Sequence, residues 1–316
     1  VAMKISVITP VYNRQDCILQ CLESVETQYI PEGFEIEHVV VDDGSSDASP
    51  AIIGEYAASH PMVKAVALPH NRGTNAARNA AARAATGEWV LFLDSDDTMM
   101  PGAIDTLCQT LKSRPGFLHY LFAADHRTDI TSGYAPEVEF SFADFLLQRT
   151  GGDFVQLFRR ETMLSLPFDE ELRIHEGVFF MRFFRHAKKI LFTNKVIYHI
   201  NLGRADHATY TLNLTNGTAL QRRCKACDLM REFFEKDYIA TVGGTEILAA
   251  NARGAVMFHT LAGNYESAFS HARLLKQLGH KVPLLPSLLM HTRTGRPAWH
   301  AVKMAMKLKH GFLNRH

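Results

Sequence analysis

Two periods of hydrophobicity alternate along the first hundred residues. Lys4–Thr9 (KISVIT) is a β-branched run stopped by Pro10, and Arg14–Gln28 then sets Ile18, Leu22 and Val25 at helical spacing. Glu35–Val41 predicts a second strand, Ser49–Ser59 a helix, Val63–Leu68 a strand and Thr74–Ala85 an alanine-rich helix. Glu88–Leu93 (EWVLFL) is almost continuously apolar, as a strand covered on both faces requires. Four such units in a row predict an α/β fold, a mostly parallel open sheet with helices on both faces. In sheets of this kind ligands bind beyond the carboxyl ends of the strands. The polar clusters Tyr12-Asn13, Asp42-Asp43 and Asp94 to Asp97 all fall there and are expected to meet in one crevice.

From about Phe117 the pattern loosens. Strand-like pieces at Phe117–Ala123, Phe154–Phe158, Lys189–Phe192 and Lys195–Ile200 mix with short helices near Phe142–Gln148 and Gly177–His186. Beyond Leu214 the signal is helical, over Gln221–Lys236, Glu246–Ala262 and Tyr265–Leu278, the last two forming an αα-hairpin at Gly263-Asn264. The proline-rich Lys281–Pro286 segment separates these from a last stretch, Pro297–Leu313. The expected division is an α/β domain over residues 3–214 and a helical C-terminal region with a basic tail over 215–316.

Composition narrows the picture in two places. The 316 residues are 47% hydrophobic with a formal net charge of +1, which argues against a protein that coats nucleic acid. That average conceals an asymmetry. Nine Lys/Arg and no Asp or Glu follow Ser267, so this stretch is +9 and the remainder −8, an acidic body with a basic arm for an anionic surface or partner. Five scattered cysteines form no disulfide framework and fit a reducing, cytoplasmic setting. No run approaches the roughly 18 apolar residues of a membrane span, and no signal peptide is expected.

Several clusters carry candidate chemistry, each beside a plainer reading. Asp94-Ser95-Asp96-Asp97 sets three carboxylates after a buried strand, either a site for a hard divalent cation bridging to a diphosphate or a capped turn. Asp42-Asp43 could accept hydrogen bonds from a base or ribose, or form an Asx turn. Tyr12 could stack on a planar base or simply pack. Arg78, early in a small-residue helix, could meet a phosphate or lie solvated on the surface. Cys224-Lys225-Ala226-Cys227 lacks a second pair at zinc-site spacing and reads as structural. Trp299, Val302, Met306 and Phe312, interleaved with Lys303, Lys307 and Lys309, suit a helix at a membrane interface or a solvated basic helix.

Taken together, Val7–Asn13, Val39–Asp47, Asn71-Arg72-Gly73 with Ala77-Arg78-Asn79, and Gly87–Asp97 resemble the family 2 glycosyltransferases of the GT-A fold, a Rossmann-like architecture. The resemblance is specific from about Lys4 to Pro101, weakens towards His199 and stops by Leu214. It implies a nucleotide-sugar donor, commonly a UDP-sugar, and a glycan or lipid-linked glycan acceptor, in surface polysaccharide synthesis. By this resemblance Pro10 and Tyr12 lie at the base, Asp43 on its polar edge and Arg78 near ribose or phosphate. Asp94-Ser95-Asp96 matches the DxD element, with Asp94 near the ribose, Asp96 on Mn²⁺ or Mg²⁺, and Asp97 a supporting metal ligand or a partner of the ligands. His199 either completes the metal site, as a histidine does in some members, or is a plain surface or core histidine. The family sets Glu-Asp at the start of a helix as catalytic base. Here the pair is Glu176-Gly177, which leaves Glu176 as the nearest carboxylate, His175 as an alternative, or no base at all. The expected activity is an inverting, metal-dependent transfer at the inner face of the membrane. The alternative is a nucleotide-sugar-binding pseudo-enzyme that assists an active partner.

Overall fold

The computed structural model describes residues 2–127, 133–151, 154–173, 175–201, 217–298 and 300–301. Two compact units divide the chain, residues 1–204 and 205–316.

The first unit is built on a nine-stranded sheet. Its strands are β1 (Met3–Val11), β2 (Phe34–Asp42), β3 (Val63–Ala67), β4 (Trp89–Phe92), β5 (Thr98–Met99), β6 (His119–Ala124), β7 (Glu137–Ser141), β8 (Val155–Arg159) and β9 (Lys189–His199). They run in the order β3-β2-β1-β4-β8-β6-β9-β5, with β7 also on β9. β1 to β4 are mutually parallel and β6 pairs parallel with β9, while β8 enters antiparallel between β4 and β6. The open parallel sheet expected from the sequence is thus extended by a mixed half.

Period-two burial explains the apolar runs. In β4, Trp89 and Leu91 face one core with Ile5 and Val7 of β1. Val90 and Phe92 face the other core with Ile8. The first core is closed by α1 (Ile18–Glu26), which buries Ile18, Cys21, Leu22 and Val25, and by α4 (Ala103–Ser113). The second is closed by α3 (Thr74–Ala84) and α7 (Gly177–Ala187). Between these lie α2 (Ser49–Ser59), α5 (Phe142–Leu146) and α6 (Arg160–Ser165).

β1 runs one residue past Pro10 instead of stopping there. Ile8 accepts the Leu93 N–H across to β4, and Pro10, two residues on, faces the same side after β4 has ended. Its missing N–H therefore removes no ladder bond. The two expected strands after α7 are one, β9; register shifts at Phe122 to Ala124 of β6 absorb the polar Asn194-Lys195. β5 and β7 were not expected from the sequence, being too short or too exposed to show a period.

The second unit holds α8 (Gly217–Ala240), α9 (Gly244–Ala262), α10 (Tyr265–Gln277) and α11 (Leu284–His291). The expected αα-hairpin turns at Gly263, whose φ of 79° is left-handed. α11 starts inside the proline-rich segment, with Pro283 as its cap and Pro286 in its first turn, where no intrahelical N–H bond is lost. Cys224 is buried with Leu220 and Ala262, and neither Cys224 nor Cys227 is in a disulfide. Trp299 and Val302, Met306 and Phe312 with the lysines among them lie outside the described residues.

Candidate functional site

The site grows from a helix that can approach the sheet closely. Ala76, Ala77, Ala80 and Ala81 of α3 are buried against β1 and β2, and Arg78 between them is only 3% exposed. Its Nη2 donates to Asp94 Oδ1 at 2.8 Å and its Nη1 pairs with Glu176 Oε1. The guanidinium carbon lies 4.8 Å from the Phe92 ring centroid. Burial works against its charge, and Glu176 and Asp94 override that, raising its pKa above the ordinary arginine value. One buried cation thus ties the end of β4 to the start of α7. Burial raises the Glu176 pKa, and Arg78 opposes this from the same contact.

Asp94 to Asp97 form a turn closed by Asp97 N–H donating to the Asp94 carbonyl at 3.1 Å. Thiols from the start of α1 brace it: Cys17 reaches the Ser95 carbonyl at 3.6 Å and Cys21 that of Asp94 at 3.7 Å. Ser95 is buried, Asp96 half-buried and Asp94 exposed. Asp97 is buried and accepts the Asn201 N–H at 3.0 Å. Burial, then Asp94, with Asp96 and Asp125 adding, pushes its pKa up to about 8. Such crowding of negative charge suits a divalent cation, and carboxylate oxygens are the donors Mg²⁺ and Mn²⁺ prefer.

His199 ends β9 directly opposite Thr98, the residue after Asp97. Its Nδ1 pairs with Asp125 Oδ2, and Asp125 Oδ1 accepts the Ile200 N–H at 3.0 Å. A carboxylate on Nδ1 orients the ring and leaves Nε2 for a metal. Asp125, at the carboxyl end of β6, was missed in the sequence. The strand-end rule that pointed to the other clusters would have found it. Among the described residues, the set of His, Cys, Asp and Glu ligand atoms gathered within 4.8 Å of one another is Asp228, His259 and His271 in the helical unit, not the Asp94–Asp97 group.

A third link is the loop before α3. Asp43, 2% exposed, accepts the Arg72 N–H on Oδ1 at 2.7 Å and the Gly73 N–H on Oδ2 at 2.6 Å. The clusters after β1 and β2 are joined by Asn13 N–H to Ser45 Oγ at 2.9 Å and Ser46 N–H to Asn13 Oδ1 at 2.9 Å. Asn79 exchanges bonds with the Phe168 backbone, and Asn75 N–H donates to the Arg173 carbonyl at 2.9 Å. These clamps, also unforeseen, carry residues 168–173 over α3 and so deliver Glu176 to Arg78. Pro10 is buried in β1, and Tyr12 just beyond it is 44% exposed. Arg78, Asp94 and Glu176 are therefore in one contact network, Asp97 and His199 lie at adjoining strand ends, and Asp43 acts on the loop leading to α3.

The family model for glycosyl transferase family 2 matches residues 6–187, more than half of the chain. The chain belongs to this family. A GalNAc(5)-diNAcBac-PP-undecaprenol β-1,3-glucosyltransferase of Campylobacter jejuni is 26% identical over 312 residues, covering 91% of this chain and 92% of that one. The chain spans between 19% and 60% of the length of three other curated relatives that match. Among solved structures, S. aureus TarS aligns with a TM-score of 0.63 at 20% identity, over 96% of this chain and 55% of that one. Its 1–349 portion in complex with UDP-GlcNAc aligns at 0.58 and 18% identity, over 88% and 93%. The mannosyltransferase PcManGT of Pyrobaculum calidifontis, in complex with GDP-Man and Mn²⁺, aligns at 0.54 and 19%, over 98% and 87%. These likenesses establish the GT-A architecture of this family 2 glycosyltransferase.

Proposed function

We propose that this family 2 glycosyltransferase moves a sugar from a nucleotide-sugar donor, a UDP-sugar, to a hydroxyl of a lipid-linked glycan in surface polysaccharide synthesis, with inversion. The observation that carries the reading is the Asp94–Arg78–Glu176 bridge, which holds a DxD carboxylate and the candidate base on the two Nη atoms of one guanidinium. In-line displacement needs a base on the acceptor side and charge neutralisation on the leaving side, and the bridge keeps a candidate for each close together. Tyr12 stacks on the base, and Asp43 with the 71–73 loop it holds meets the base's polar edge. Pro10 sets the chain direction below them. Asp94 and Ser95 lie at the ribose. Asp96, Asp97 and His199 would hold Mn²⁺ or Mg²⁺, which supplies Lewis-acid neutralisation of the diphosphate. Glu176 takes the acceptor proton. The PP-undecaprenol acceptor of the Campylobacter relative and the UDP-GlcNAc in the TarS complex support the lipid-linked glycan and the UDP-sugar.

A donor screen with Mn²⁺ tests this. Asp96→Ala is expected to stay folded and lose cation-dependent transfer, and Glu176→Gln to keep donor binding but lose turnover. Full transfer by Asp96→Ala would overturn the assignment.

Gly177, in place of the family's aspartate, favours a second reading, a donor-binding partner subunit without efficient transfer. A Cβ at Gly177 meets nothing within 4 Å, so the backbone there has room for a side chain and Gly177→Asp can be made. Transfer that appears only in that variant would select the second reading.

A further inference from the structure

Three helices of the second unit converge on one point that the transferase reading does not use. Asp228 of α8, His259 of α9 and His271 of α10 bring one ligand atom each to within 4.8 Å of one another. Both imidazoles are almost fully buried, at 1% and 2% exposure, and lie stacked with ring centroids 5.4 Å apart. Their Nε2 atoms approach the same oxygen, Asp228 Oδ1, at 3.0 Å for His259 and 2.9 Å for His271. The His271 contact is a hydrogen bond, and His259 reaches the same oxygen at ion-pair distance, while among the described residues neither ring's Nδ1 has a hydrogen-bond partner. Two buried imidazoles that converge on one carboxylate oxygen with their other nitrogens unpartnered are costly as plain packing. A shared cation would take both Nε2 lone pairs and the carboxylate oxygen at once.

We propose that Asp228, His259 and His271 form a binding site for a divalent transition metal of the zinc class. Two imidazoles and one carboxylate are the three-ligand set such ions take while keeping an open position. Alkaline-earth ions, which prefer all-oxygen donors, are disfavoured. Asp228 and His271 also line a cavity of about 380 Å³ with Arg231, Glu232, Ser267 and Ser270, which provides an entry path. Bound there, the cation pins α8, α9 and α10 together. This site stands apart from the Asp94–Asp97 cluster in donor chemistry and in chain unit, and it does not depend on the proposed transfer.

The test is calorimetric titration of the chelator-treated full chain with Zn²⁺, in excess Mg²⁺ to occupy oxygen-donor sites. One Zn²⁺ per chain is expected to bind at micromolar concentration or below. His259→Gln and His271→Gln should each weaken it at least tenfold, and Asp96→Ala should leave it unchanged. Absence of binding, or binding that survives both histidine substitutions, would overturn the site. X-ray absorption of the unmutated zinc-loaded chain guards against variants that misfold. Two imidazoles at about 2.0–2.1 Å are expected, and a shell without imidazole overturns the proposal.

Discussion

At the scale of single residues, Arg78 and Asp97 do unlike things with burial. Arg78 remains charged because two carboxylates face it, and its planar fork reaches both. Lysine keeps its donors on a single nitrogen and lacks the fixed fork that reaches Asp94 and Glu176 from separate atoms. Arg78→Lys is therefore expected to lower kcat/KM by about 100-fold through misplacement of the two groups. The loss should fall mainly on kcat, and steady-state kinetics with varied donor checks it. Asp97 goes the other way, its pKa pushed up to about 8, so the cation-free fold retains its proton at neutral pH. The unfolded chain releases that proton near pH 4. The stability this group contributes is complete below pH 4 and is lost as pH rises through about 8, by up to about 1.4 kcal/mol per unit. Asp97→Asn keeps an oxygen for the Asn201 N–H and should flatten that slope. Thermal unfolding of both proteins in chelator across pH 4–9 measures it.

At the scale of elements, what was legible in the sequence followed burial on two faces. Helix α2 lies over the expected Ser49–Ser59, and β2 and α3 fall within a residue of expectation, because their apolar periods are enforced by neighbours on fixed sides. The position of the polar clusters at the ends of β1, β2 and β4 was equally legible, since strand ends are marked by abrupt polarity. The clamps were not, because Asn79 to Phe168 and Asp125 to His199 join residues 74 or more positions apart that show no local period. The meaning of Asp42-Asp43-Gly44 was half legible. The cluster reads as a turn, but only the fold reveals why glycine stands there. Gly44 has a φ of 70°, and a Cβ would come within 2.6 Å of the His70 backbone. Gly44→Ala should therefore push the 70–73 loop off Asp43. The expected cost is about 1–3 kcal/mol in urea unfolding, with at least tenfold weaker donor binding by calorimetry. Unchanged donor affinity in a destabilised variant would separate the loop from the donor site.

At the scale of the whole molecule, charge and apolar surface point the same way. The stretch from Ser267 onward carries +9 and the remainder −8. Helix α11 lies in that basic stretch and presents Leu284, Leu285 and Leu288 at 91%, 60% and 61% exposure while burying Pro286 and Met290. Exposed leucines beside lysines and arginines are expected to suit an anionic bilayer surface, where apolar insertion and charge attraction add. Among the described residues no helix is long and apolar enough to cross a membrane. The expected mode is attachment at the interface through these leucines and the basic stretch. Each leucine that enters the interface contributes about 1 kcal/mol or more, so the triple change Leu284→Ser, Leu285→Ser, Leu288→Ser should weaken sedimentation with phosphatidylserine vesicles by at least tenfold. Neutral phosphatidylcholine vesicles should bind poorly, and added salt should release the wild-type chain from anionic ones. Undiminished binding of the triple variant would remove the leucines from the interface. Binding indifferent to salt and lipid charge would remove the basic arm.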